Sequence, residues 1–194
     1  MNIWGRMLKL FGWKVDISAP KRDKCVICVA PHTSNWDFIL GLAAYQSLGR
    51  DANFLMKKFW FFFPLKYLLY RFGGIPVESS KKTGKSLTET IIEDFGKRSY
   101  LNLAVTPEGT RSLNKKWRTG FLYIAYGAKV PIQLGVIDFR NKEILIKEEY
   151  QPTGDVEYDM QQIKNYYAGF PEAARYPEKF TVENPELNRV ENPE

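Results

Sequence analysis

Apolar and polar positions fall in blocks along the chain, and the period of the blocks alternates. Lys24–Ala30 (KCVICVA) is uniformly apolar and β-branched between charged residues and Pro31, the pattern of a strand buried on both faces. A helix is predicted around Trp36–Leu48, then short strands near Asn53–Met56 and, after Gly73 and Gly74, at Ile75–Val77. Ser86 with Glu89 three residues on is a capping-box signature, opening a helix with Leu87, Ile91, Ile92 and Phe95 on one face. Leu101–Val105 predicts another buried strand, Gly120–Tyr126 a helix, and Val130–Ile137 a strand with Glu143–Lys147 as its partner. A last amphipathic helix starts at or just after Asp155 and runs through Ile163 and Tyr167. Strands alternating with helices predict a single α/β domain with a mainly parallel central sheet flanked by helices.

Two apolar segments stand apart from this alternation. In Met1–Val15, Ile3, Trp4, Met7, Leu8 and Phe11 share a helical face while Arg6, Lys9 and Lys14 flank or oppose it. Such a helix suits a membrane interface, or equally a place packed on its own domain. Its apolar run is too short and too interrupted for a signal peptide. Phe59–Tyr70 (FWFFFPLKYLLY) is apolar on nearly every side except Lys66, and three readings compete. It is a buried helix-turn, which is the default for such a run, a wall for a greasy substrate, or a membrane contact. No stretch reaches the roughly 18 apolar residues that span a bilayer. The expected organisation is therefore an amphipathic helix over 1–15, a domain over 16–169, and a Pro- and Glu-rich extended tail over 170–194.

Composition narrows the classes. At 194 residues the chain is long enough for one full core. Its net charge of +6 is unevenly placed: residues 148–194 hold 4 basic and 11 acidic side chains, leaving 24 basic and 11 acidic before them. A body so basic attracts phosphorylated metabolites, an anionic membrane surface or nucleic acid, unless the charge is only a solvated face. Aromatics gathered in one apolar run, not interleaved with lysines, argue against nucleic acid. Cys25 and Cys28, the only cysteines, lie three apart on a strand and so face opposite sides. They predict core packing and no shared metal. A lone histidine, His32, excludes multi-histidine zinc sites, and no metal or cofactor is expected.

The chemistry concentrates after two strands. Pro31-His32-Thr33-Ser34-Asn35-Trp36-Asp37 follows the first, where open α/β sheets place ligands. An imidazole takes a proton from a hydroxyl at neutral pH, best when a carboxylate holds its other N–H, and Asp37 is in reach if a helix begins near Asn35. A structural histidine is the commoner case. Thr106-Pro107-Glu108-Gly109-Thr110-Arg111-Ser112 follows the strand at Leu101–Val105. Its glycine permits close backbone approach and its arginine offers a planar fork for phosphate, or simply pairs with a carboxylate at the surface.

Together, His-x-x-x-x-Asp and, about seventy residues on, Pro-Glu-Gly-Thr-Arg-Ser resemble the glycerolipid acyltransferase superfamily, typified by 1-acylglycerol-3-phosphate acyltransferases. Met56-Lys57-Lys58, Phe72-Gly73-Gly74-Ile75-Pro76-Val77, Trp117-Arg118-Thr119-Gly120-Phe121 and Val130-Pro131-Ile132 resemble further family blocks in order, from about Val26 to Val136. The resemblance implies a glycerol-3-phosphate acyltransferase-like fold and acyl transfer from acyl-CoA or acyl-carrier protein to a lysoglycerolipid hydroxyl, in phospholipid biosynthesis. It implies His32 as general base and Asp37 as its orienting carboxylate. Arg111 would clamp the acceptor phosphate, with Glu108, Gly109 and Thr110 forming that pocket, Lys57 assisting, and Gly74, Ile75, Pro76 and Val77 lining the cleft. It also gives the 1–15 helix a role in holding the site at a membrane interface; with reducing-type cysteine use and no signal-like segment, the expected place is cytoplasmic, bound peripherally at the inner face of the plasma membrane. One departure is Ser79, where the family usually carries an arginine; the acceptor could therefore be another lysolipid or aminolipid. The rival class is a non-catalytic peripheral lipid- or phosphate-binding protein.

Overall fold

The computed structural model describes residues 2–78 and 85–182. Ser79, Lys81 and Lys82 and the end of the Pro- and Glu-rich segment lie outside the described residues. Among the described residues, strands β1 (Lys14–Asp16), β2 (Lys24–Val29), β3 (Asn53–Lys57), β4 (Gly74–Val77), β5 (Leu101–Val105), β6 (Ile132–Asp138) and β7 (Glu143–Tyr150) form one sheet. Their order is β1-β7-β6-β2-β5-β3-β4. From β6 through β4 every neighbouring pair is parallel; β7 runs antiparallel to β6, and β1 parallel to β7. This is the mixed α/β domain with a mainly parallel sheet that the alternation predicts.

Strand β2 sits in the middle of the sheet and is buried on both faces, as its unbroken apolar run requires. Val26 and Cys28 face a core built with Ile91 and Phe95 of α4 (Leu87–Lys97), Phe121 and Leu122 of α5 (Gly120–Ala128), and Ile163 and Tyr167 of α6 (Val156–Ala168). Cys25 and Ile27 face the other core, with Leu8 of α1 (Ile3–Leu10) and Leu40, Ala43 and Tyr45 of α2 (Asn35–Ser47). The period of two therefore places the cysteines in different cores, where burial pushes each thiol up to about 12.

Three apolar elements depart from their sequence pattern. First, α1 ends at Leu10, not Val15: Gly12 takes φ +79 and the chain turns into β1. The expected single apolar face also divides. Trp4 and Leu8 pack inward, Trp4 edge-on to Phe72, while Ile3, Met7, Leu10 and Phe11 face outward. Second, Phe59–Tyr70 is not buried. A single 3-10 turn (Lys58–Trp60) and α3 (Leu65–Arg71) fold it onto β4, and Phe59 and Phe63 remain 81% and 75% exposed. An edge strand offers one neighbour only, so a segment this greasy has no second surface to cover it. Third, Leu87 is exposed on α4, because Ile91 and Phe95 take the inward positions.

The segment after α6 packs onto the domain instead of standing away from it. Ala173 and Ala174 are buried, the Phe139 N–H donates to the Ala173 carbonyl at 2.8 Å, and Phe180 lies tilted against Trp117. A 3-10 turn at Pro177–Lys179 follows.

Candidate active site

The carboxyl ends of β2 and β5 are adjacent in the sheet, so the loops carrying the two candidate motifs emerge side by side. After β2 the Ala30–Pro31 peptide is cis and the chain enters α2 at its cap, Ser34. The Ser34 hydroxyl accepts from the Trp36 N–H at 3.1 Å, and the Asp37 Oδ2 accepts from the Thr33 and Ser34 N–H groups at 2.9 and 2.8 Å. This reciprocal cap curls the first turn of α2 back over the loop. It brings Asp37 Oδ2 to 3.1 Å from His32 Nδ1.

That proximity is not a formed hydrogen bond. The Nδ1 atom is shielded from water, but its N–H direction misses the carboxylate oxygen. Asp37 is buried, while the imidazole remains partly exposed. With the proton on Nδ1 beside the carboxylate, Nε2 presents a lone pair; such a pair is suited to accept a proton from a hydroxyl.

Glu108 joins the two loops. Its carboxyl oxygens lie 2.9 and 3.2 Å from the His32 N–H, which donates to them, and its own carbonyl accepts from Asn114 Nδ2 at 2.7 Å. The side chain is only 3% exposed. Burial pushes the carboxyl up to about 8, the His32 N–H opposing and the nearby Asp37 charge reinforcing that rise. Glu108 thus fixes the backbone of His32 from a buried position and does not line an open pocket.

Gly109 follows with φ +66, and a Cβ there would meet the Arg118 side chain. Arg118 in turn donates its backbone N–H to the Pro107 carbonyl at 2.7 Å, so the loop folds over on itself. Thr110 and Arg111 are exposed, and Arg111 Nη1 donates to Asn35 Oδ1 at the start of α2. Arg111 thereby stands beside the turn that holds Asp37. Lys57, at the carboxyl end of β3, opens on the same edge of the sheet and is exposed.

The remaining expected residues are placed differently. Gly74 begins β4 at the opposite end of the strand, packed against the Leu69 carbonyl. Ile75, Pro76 and Val77 line a cavity of about 290 Å³ against Leu87, Thr90 and Ile91 of α4, with Lys58, Glu78 and Asp94 at its polar margin. Neither His32 nor Arg111 contributes to that wall. Among the described residues no group of three or more His, Cys, Asp or Glu side chains is placed to hold a metal ion.

Sequence reasoning missed Thr33, Ser34, Asn35 and Asn114, which hold Asp37, Arg111 and Glu108 in place. The Ser34-x-x-Asp37 spacing is itself a capping box and offered the signal for two of them. It also missed the chain after Gly169, which reaches the site through the Tyr176 N–H, 3.3 Å from Thr33 Oγ1.

A family model described as Acyltransferase matches residues 14–135, well over half of the chain. The chain belongs to that family. Its fold is similar to the crystal structure of a 1-acyl-sn-glycerophosphate (LPA) acyltransferase, PlsC, from Thermotoga maritima, with a TM-score of 0.56 and 19% identity. That match covers 89% of this chain and 78% of the other. No curated protein matches the chain. Among the described residues no helix is long and apolar enough to cross a membrane.

Proposed function

We propose that the chain is an O-acyltransferase that moves a fatty acyl group from the thioester of acyl-CoA or acyl-carrier protein to the free hydroxyl of a lysoglycerolipid such as 1-acylglycerol-3-phosphate. The observation that carries this reading is the junction of the two loops: Asp37 beside His32 Nδ1, with Glu108 gripping the His32 backbone. In this reading His32 Nε2 removes the acceptor proton while Asp37 stabilises the imidazolium. The acceptor oxygen forms the new ester bond at the thioester carbonyl. The carbon–sulfur bond then breaks, and the thiolate leaves with the proton returned by His32. No acyl-enzyme intervenes. The Ser34 hydroxyl is nearby, but it is buried and occupied as the cap of α2.

Arg111, with Lys57 on the same sheet edge, is the cation for the acceptor phosphate, and Glu108 and Gly109 hold its loop. The outward face of α1 and the exposed Phe59–Tyr70 segment support a peripheral place on an anionic membrane, at its cytoplasmic face. There they meet the acyl chains; the open face formed by Pro64, Leu65, Tyr67, Leu68 and Arg71 is almost wholly apolar. Phospholipid synthesis, with phosphatidic acid as product, is the setting this reading fits.

His32→Ala tests it. Transfer of labelled acyl groups to a lysolipid panel, from acyl-CoA and from acyl-carrier protein, should fall by 10²–10⁴-fold, the usual worth of a general base. Liposome binding and the melting temperature should hold. A wild-type protein that acylates no member of the panel, yet binds the liposomes, would sink the enzyme reading and favour a lipid-binding module.

A further inference from the structure

Arg175 lies outside the residues matched by the family and 143 positions after His32, yet it stands next to the site. Its guanidinium sits over three aromatic rings: Trp36 at 5.7 Å, Tyr176 at 5.7 Å and Phe139 at 5.9 Å from the centroids. The Tyr176 N–H is 3.3 Å from Thr33 Oγ1, and the two ends of that contact are the direct chain neighbours of Arg175 and of His32. With about 3.8 Å between consecutive Cα atoms, the Cα atoms of His32 and Arg175 are no more than roughly 15 Å apart. One extended substrate can span that separation and touch both residues.

The strap that carries Arg175 is held without it. Ala173 and Ala174 are buried, the Ala173 carbonyl accepts from Phe139, and Phe180 packs on Trp117. Among the described residues no carboxylate pairs with Arg175, whereas the neighbouring Arg140 pairs with Glu172. Ring faces cover the plane of a guanidinium but leave its N–H edge free, and they fix its rotamer in advance. Trp36 and Tyr176 are half-exposed, so that edge is open to solvent. Arg111 bonds Asn35 and Arg175 stacks on Trp36, so the two guanidiniums address consecutive residues of the first turn of α2.

We propose that Arg175 is a second phosphate-anchoring residue of this site, its pre-set fork binding a phosphate-ester oxygen of one of the two substrates. This rests on the acyltransferase reading. Two sources share the chemistry: the phosphate of a lysolipid acceptor and the phosphates of a coenzyme A donor.

Steady-state kinetics of the full chain separate them. Wild type, Arg175→Gln and Arg175→Lys are compared with lauroyl lysophosphatidate against monolauroylglycerol as acceptor, and with acyl-CoA against S-acyl pantetheine as donor. Arg175→Gln should raise KM about tenfold for one phosphorylated substrate, with kcat within twofold and the unphosphorylated partner unmoved. Which substrate responds names the source. Arg175→Lys keeps the charge but loses the fork, and should show a smaller rise confined to the same substrate. Equal losses in all four pairings, or KM values unmoved throughout, would overturn the inference and leave Arg175 a staple of the strap. If Arg175→Gln fails to fold, an Arg175→Lys enzyme indistinguishable from wild type overturns it as well.

Calorimetric titration of the same ligand pairs, with coenzyme A and pantetheine as the donor pair, needs no turnover. An Arg175-dependent preference for the phosphorylated member, in a protein that transfers nothing, keeps the anchor and rejects the acyltransferase reading. Wild-type turnover with no Arg175-dependent preference does the reverse.

Discussion

Glu108 carries a prediction with an unusual sign. Buried carboxylates that are paired or well hydrogen-bonded usually make a protein more stable as pH rises, whereas this one should make it less stable. Its folded value of about 8 stands above the 4.5 of the unfolded chain, chiefly through burial. Between those pH values the folded state therefore holds a proton that the unfolded state has released. The stabilisation is fully present below about pH 4.5 and is lost as pH rises through about 8. At ~1.4 kcal/mol per pH unit, the interval corresponds to at most ~5 kcal/mol, and relaxation around the charged form should reduce it to a few kcal/mol. Glu108→Gln keeps the size and an oxygen for the His32 N–H, and removes the titration. Urea unfolding of both proteins from pH 5 to 8.5 supplies the test, because subtracting one curve from the other cancels every group they share. The difference should shift by ~2–4 kcal/mol in favour of the glutamine protein as pH rises. Curves that stay parallel across this range would refute the assignment of a proton to Glu108 at neutral pH.

Gly109→Ala should lower stability by ~1–2 kcal/mol, since φ is +66 and the new Cβ would collide with the Arg118 side chain. Adding Arg118→Ala should recover the steric part and leave the backbone part, read by urea melts of the two variants; an unchanged Gly109→Ala melt would contradict it. Changing Ile3, Leu10 and Phe11 together to serine should leave the melting temperature within a few degrees, because these side chains face outward. At ~1–2 kcal/mol for each inserted side chain, co-sedimentation with anionic liposomes should fall at least tenfold. Undiminished binding would dismiss the interfacial role of α1.

Period and punctuation made most elements legible. Leu101–Val105 matches β5 to the residue, and Asp155 caps α6 with its carboxylate accepting from Glu157 and Tyr158. Lys14–Asp16 was hidden because Trp13 and Val15 continue the apolar alternation of α1; Gly12, at φ +79, was the one local sign of the break. Burial of Phe59–Tyr70 could not be judged from composition, since it depends on β4 lying at the edge of the sheet. Spacing brought His32 and Asp37 together on paper because a helix start lies between them. Contacts across many residues left no such trace. The grip of Glu108 on the His32 N–H depends on β2 pairing with β5, and the approach of Arg175 depends on where the chain runs after α6.

The position of Asp37 ties the fold to the chemistry. A single oxygen, Oδ2, accepts from two backbone N–H groups at 2.9 and 2.8 Å and faces His32 Nδ1 at 3.1 Å. The backbone bonds are satisfied whether or not the ring is aligned, so the carboxylate is fixed by the cap of α2 before any substrate arrives. The imidazole is the part still free to adjust, for its N–H does not yet point at Oδ2. A small rotation of the ring would complete that bond, and in the proposed mechanism the positive charge that the imidazole gains with the acceptor's proton would strengthen it. The interaction then grows along the reaction and contributes little to holding the resting protein together. Removing the imidazole should for this reason leave the fold intact, while removing the Asp37 carboxylate would disturb the cap and the proposed catalytic pair at once.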